Sequence, residues 1–162
     1  MTLGPVRCLI LACGNTLRED DGVGPWIGAW AEARFRNDDR VGVISRHQWT
    51  PELAFDISEA GSVLFIDCAA NSTPGLVRVA PVTLGRETSG LDTHHVGAAT
   101  LLSLSNELYG SLPRSALQLT IGAGSLELRE GFSEAVISAL SEACRMLEET
   151  VLLLISASDQ RK

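Results

Sequence analysis

Two adjacent carboxylates, Asp20 and Asp21, follow Glu19 in the stretch Gly14-Asn15-Thr16-Leu17-Arg18-Glu19-Asp20-Asp21-Gly22-Val23-Gly24. Three acids in one short loop repel one another, and a cation, a shared proton or a basic partner relieves that repulsion. A simpler reading makes Asp20 or Asp21 the N-cap of a following helix. Other groups with chemical potential are His47-Gln48-Trp49, Asp67, the pair His94-His95, and Gly122-Ala123-Gly124-Ser125. Two carboxylates and an imidazole form a donor set for a divalent metal such as nickel, zinc, iron or manganese. The same groups can run acid–base chemistry when one carboxylate raises the pKa of its neighbour. Taken singly, Asp67 also reads as a strand-end residue capping a loop, and His94 as a helix-start residue satisfying backbone groups. His94 and His95 on one helix would point roughly 100° apart, so at most one faces a common cleft. Ser125 lies in turn chemistry rather than in a GxSxG nucleophile elbow.

The elements that must position these groups alternate along the chain. Residues 6–13 form a first strand and 23–37 a first helix, with Pro25 in its opening turn. A short strand covers 41–46. Thr50 and Pro51 open a second helix that runs to residue 60. Residues 62–67 are continuous and apolar, as buried parallel strands are. The turn Asn71-Ser72-Thr73-Pro74-Gly75 leads into a strand at 76–82. That connection is too short for a crossover helix, so the strand at 76–82 runs antiparallel to the one before it. Residues 86–92 are a loop, 93–108 a third helix closed by Gly110, 116–121 a last strand, and 132–155 a long last helix. Trp26 and Trp30, four apart on the first helix, read as core. The polar tail at 157–162 is expected to fray.

This order predicts an α/β three-layer sandwich: a mostly parallel five-stranded sheet with one antiparallel strand, and helices on both faces. The groups after the parallel strands then share the carboxyl edge of the sheet, where open α/β sheets hold their ligands.

The 162 residues suit one domain spanning the whole chain. No apolar run is long enough for a membrane span, and the N-terminus lacks the pattern of a signal peptide. Cys8, Cys13, Cys68 and Cys144 form no CxxC pair and read as reduced core thiols of a cytoplasmic protein. A net charge of −7 argues against nucleic acid and anionic membranes. Lys162 is the only lysine, which argues against P-loop, Schiff-base and receiver-type phospho-acceptor chemistry.

Several blocks in order resemble the [NiFe] hydrogenase maturation endopeptidases, a family of nickel-dependent proteases. They are Gly14-Asn15-x-Leu17-x-x-Asp20-Asp21-Gly22-Val23-Gly24, Gln48-x-x-Pro51-Glu52-Leu53, Phe65-Ile66-Asp67, Thr93-His94-x-x-Gly97 with Leu101-Leu102, and Leu119-Thr120-Ile121-Gly122. The resemblance implies that Asp21, Asp67 and His94 bind nickel and carry the chemistry. Gln48, Trp49 and Asp20 would contact substrate. It implies an endopeptidase that removes the C-terminal extension of a [NiFe] hydrogenase large-subunit precursor after nickel is loaded. The nickel would be supplied by the substrate, and the isolated enzyme would be a monomer. Ala12 stands where the family often has glycine, Asp21 where some members have glutamate, and Glu19 where a small or neutral residue is common. The alternative within this reading is an assembly chaperone that binds metal and cleaves nothing.

Overall fold

The computed structural model describes residues 5–85 and 96–159. Its elements are β1 (Cys8–Cys13), α1 (Val23–Arg34), β2 (Val41–Arg46), α2 (Leu53–Glu59), β3 (Ser62–Ala69), β4 (Val77–Pro81), α3 (Ala98–Tyr109), β5 (Ser115–Gly122) and α4 (Glu134–Asp159). The strands form one sheet in the order β2-β1-β3-β5-β4. All pairings are parallel except that of β4 with β5. The predicted α/β architecture is therefore present.

Alternation along the strands sorts side chains to two faces. Cys8, Ile10 and Ala12 of β1 pack with Leu64, Ile66, Leu119 and Ile121 against Val23, Ile27 and Ala31 of α1. Val136, Ala139, Ala143, Leu147 and Val151 of α4 join that layer at helical spacing. On the opposite face Leu9, Leu11, Val63 and Phe65 meet Leu53 and Ile57 of α2 and Ala98, Leu101 and Leu102 of α3. Central β1 and β3 carry apolar runs because helices cover both sides of them.

The strand after β3 runs antiparallel to it, as expected, and β5 takes the place between them. The connecting loop crosses the end of β5, so closely that a Cβ on Gly122 would lie 1.9 Å from the Thr73 carbonyl oxygen. Three expectations change. α3 begins at Ala98 rather than residue 93: Gly97 is extended at φ −88°, ψ 173° and serves as N-cap. α2 begins at Leu53, because the amides of Leu53, Ala54 and Phe55 bond carbonyls three residues back and make a tighter turn first. α4 continues to Asp159, past the expected start of fraying, with the Ser156 and Ser158 hydroxyls bonded to the Leu152 and Leu154 carbonyls. Residues 160–162 lie outside the described residues.

Candidate active site

The β1–α1 loop separates its three acids by giving each a different environment. Glu19, Asp20, Asp21 and Gly22 form a 3₁₀ turn. Glu19 sits at φ +44°, a strained value for a residue with a side chain. Its carboxylate is 1% exposed and pairs with Arg129, and this bond holds the carboxyl below its ordinary range. Asp20 is wholly buried. One of its oxygens accepts the amides of Gly124 (2.7 Å) and Ser125 (2.9 Å) and the Ser133 hydroxyl (2.7 Å). The other accepts the Ser133 amide at 2.7 Å. Burial alone would raise its pKa, but these bonds to the charged form outweigh it and lower the value. The acids need no shared external cation to relieve them, because Arg129 and a backbone cradle already do so for two of the three. Neither Asp20 nor Asp21 caps α1, whose N-cap is Gly22 with no side-chain bond.

Only Asp21 turns to the cleft. Its Oδ2 accepts the Asn15 amide at 2.7 Å, closing the loop on itself. Gly14 permits that closure: at φ +153°, its Cβ position would lie 1.8 Å from the Asp21 carbonyl oxygen. Asp67 comes from β3, which runs two residues beyond it, and its Oδ1 accepts the Cys68 amide at 2.7 Å. Cys13, one step beyond the Ala12–Ile66 pairing, lies close enough to feel the charges of both Asp67 and Asp21. The two carboxylates therefore flank one place at the carboxyl ends of β1 and β3.

That place is a cleft of about 530 Å³. Asp21 and Asp67 line it with Asn15, Arg18, His47 and Gln118, and Gln48, Trp49, Val96 and Gly97 complete the walls. The structure thus brings together Asp21, Asp67, Gln48 and Trp49 from the predicted set. Asp20 does not join them: it was expected to touch substrate, but its carboxylate is consumed in the loop cradle. His94 and His95 lie outside the described residues. No group of three or more metal-ligating side chains stands among the described residues. Trp49 is 5% exposed and stacks edge-on against Phe65, with its indole nitrogen buried and without a hydrogen bond. Trp26, expected in the core, is 42% exposed and lies edge-on to Phe132, while Trp30 packs against the core.

Sequence reading had set His47 at the right strand end without nominating it. It missed Arg18, Cys13, Cys68 and Gln118 altogether. The polar Gln118 within an otherwise apolar strand was the available signal. Burial raises the Cys13 thiol, with further help from Asp67 and Asp21. Burial and the same acids push Cys68 up to about 12. Neither thiol is a nucleophile at neutral pH. Ser125 belongs to the loop cradle, where its amide donates to Asp20, and it does not line the cleft. All four cysteines are free, and no helix among the described residues is long and apolar enough to cross a membrane.

No protein-family model matches the chain, and no curated protein matches it by sequence. Solved structures do match. The hydrogenase maturating endopeptidase HybD from E. coli is similar with a TM-score of 0.77 and 22% identity, over 90% of this chain and 92% of that one. An endopeptidase from Escherichia coli is similar with a TM-score of 0.73 and 23% identity, over 95% and 94%. The [NiFe] hydrogenase maturation protease HybD from Thermococcus kodakarensis gives 0.67 and 25%, over 90% and 99%. The fold of this chain is that of the hydrogenase maturation endopeptidases.

Proposed function

We propose that the chain is an endopeptidase that trims the C-terminal extension of a [NiFe] hydrogenase large-subunit precursor once nickel is in place. One observation carries the reading: among the described residues, Asp21 and Asp67 are the carboxylates that line the carboxyl-edge cleft, while the other acids of the Asp21 loop are bonded elsewhere. Two carboxylates suit a divalent cation, and His94, from the same run of motifs, would complete the set. Nickel belongs here to the substrate, as a handle by which the loaded precursor is recognised. The protein acts in the cytoplasm and as a monomer.

With the cleft thiols raised and Ser125 off the cleft wall, water is the attacking group in this reading. Asp21 or Asp67 takes a proton from that water as its oxygen adds to the scissile carbonyl. The carbon–nitrogen bond then breaks, and the proton passes to the departing amine. Arg18 and His47, on the cleft wall, are placed to orient the peptide.

The test is incubation with nickel-loaded precursor and mass spectrometry of its C-terminus. Loss of a C-terminal fragment, abolished in Asp21→Asn and Asp67→Asn proteins that still fold, is the expected result. An intact precursor after prolonged incubation overturns the peptidase reading, and binding without cleavage would indicate an assembly chaperone.

A further inference from the structure

The two edge-side strands differ from the central ones. β1 is buried along its whole length, but β4 and β5 alternate. Val77 and Val79 of β4 and Leu119 and Ile121 of β5 pack on the α1–α4 face. Their alternates, Arg78, Ala80, Gln118 and Thr120, share the opposite face, where they line a recess of about 400 Å³ with Asn71 and Ser72. Alternation of this kind marks a sheet face that no described element buries along these strands. Gln118 also lines the cleft of Asp21 and Asp67, so cleft and recess meet at that residue.

Register makes the connection specific. Asp67 pairs with Thr120, and Thr120 pairs with Arg78, so the three stand in one row across β3, β5 and β4. At about 4.8 Å per strand, Arg78 begins about 10 Å from Asp67, the span of roughly three extended residues. Arg78 is exposed, has no ion pair among the described residues, and is the only charged side chain on the described recess wall. Amide and hydroxyl groups surround it. A guanidinium in such a setting recognises a carboxylate.

We propose that this recess is a substrate subsite in which Arg78 binds a carboxylate of the peptide, about three residues from the bond held beside Asp21 and Asp67. The assignment rests on the peptidase reading for its meaning, but its test does not require cleavage. The carboxylate comes from an acidic side chain or from a chain terminus, and three probes separate these sources. They are an acetylated, amidated peptide of four alanines and one glutamate; acetylated pentaalanine with a free carboxylate; and acetylated pentaalanine amide.

Titration into the full-length isotopically labelled protein, followed by amide chemical shifts, should move Arg78, Gln118 and Thr120 with at least one acidic peptide. The neutral peptide should bind about tenfold more weakly, the scale of one charge-assisted bond. Arg78→Ala should erase the difference, and Arg78→Lys should restore part of it. In cleavage of the nickel-loaded precursor, Arg78→Ala should raise KM about tenfold and leave kcat unchanged. Equal binding of acidic and neutral peptides, no saturable shift with either acidic peptide, or an unchanged acidic preference in Arg78→Ala would each overturn the subsite. An uncut precursor together with Arg78-dependent peptide binding would instead overturn the peptidase reading alone.

Discussion

Asp20 and Asp21 are chemically identical neighbours with opposite tasks. Asp20 ties the β1–α1 loop to the β5–α4 connection, and Asp21 is left to the cleft. Asp20→Ala would leave several buried donors unsatisfied and should cost about 3 kcal/mol, read as a lower midpoint in urea unfolding. Because the folded carboxyls of Asp20 and Glu19 are lowered, their stabilisation is present above the unfolded carboxylate pKa, near 4. It is lost as pH falls through the still lower folded values. Asp20→Asn should therefore flatten the acid limb of stability against pH, and an unchanged limb would count against the clamp. On the motif reading, His94→Ala should cripple processing while His95→Ala matters less. The reverse order in a cleavage assay would exchange their roles.

At the scale of elements, the site depends on how closely chain segments approach. Gly14 lets the loop return so that the Asn15 amide reaches Asp21. Gly14→Ala must push the Asp21 backbone away, so processing should fall more than tenfold, with a loss of about 2 kcal/mol in stability. Equal processing by this variant would show that the loop adapts. Phe65 supports the other wall: fully buried on β3, it holds Trp49 edge-on at 5.2 Å between ring centroids. Phe65→Ala should cost about 4 kcal/mol and shift Trp49 fluorescence, which calorimetry and emission spectra would report. Strand positions and the α1 start were readable because apolar runs, Gly and Pro mark them locally. The start of α3 was not, because a single glycine is tolerated inside a helix as well as at its cap, so Gly97 alone does not mark the boundary.

Across the whole molecule, two layers of helices hold the sheet, and its carboxyl edge carries the cleft. A net charge of −7, with Asp21 and Asp67 on the cleft wall, favours a partner that brings positive charge to this edge. Nickel held by the precursor would do so. Linkage then requires tighter binding of loaded than of empty precursor, and weaker binding when Asp21 and Asp67 are both neutralised. A pull-down that recovers both precursor forms equally would remove the nickel checkpoint.

Composition and periodicity were enough for the layer order, the single antiparallel strand and the strand-end address of Asp21 and Asp67, since each follows from local patterns a few residues long. The partner of β4 was decided only in three dimensions, because any parallel or antiparallel edge of similar hydrophobicity could have accepted it. The division of labour among Glu19, Asp20 and Asp21 was likewise tertiary. It is imposed by Arg129 and by the amides of Gly124, Ser125 and Ser133, more than a hundred residues downstream, which hold two acids in hydrogen bonds and leave the third facing the cleft.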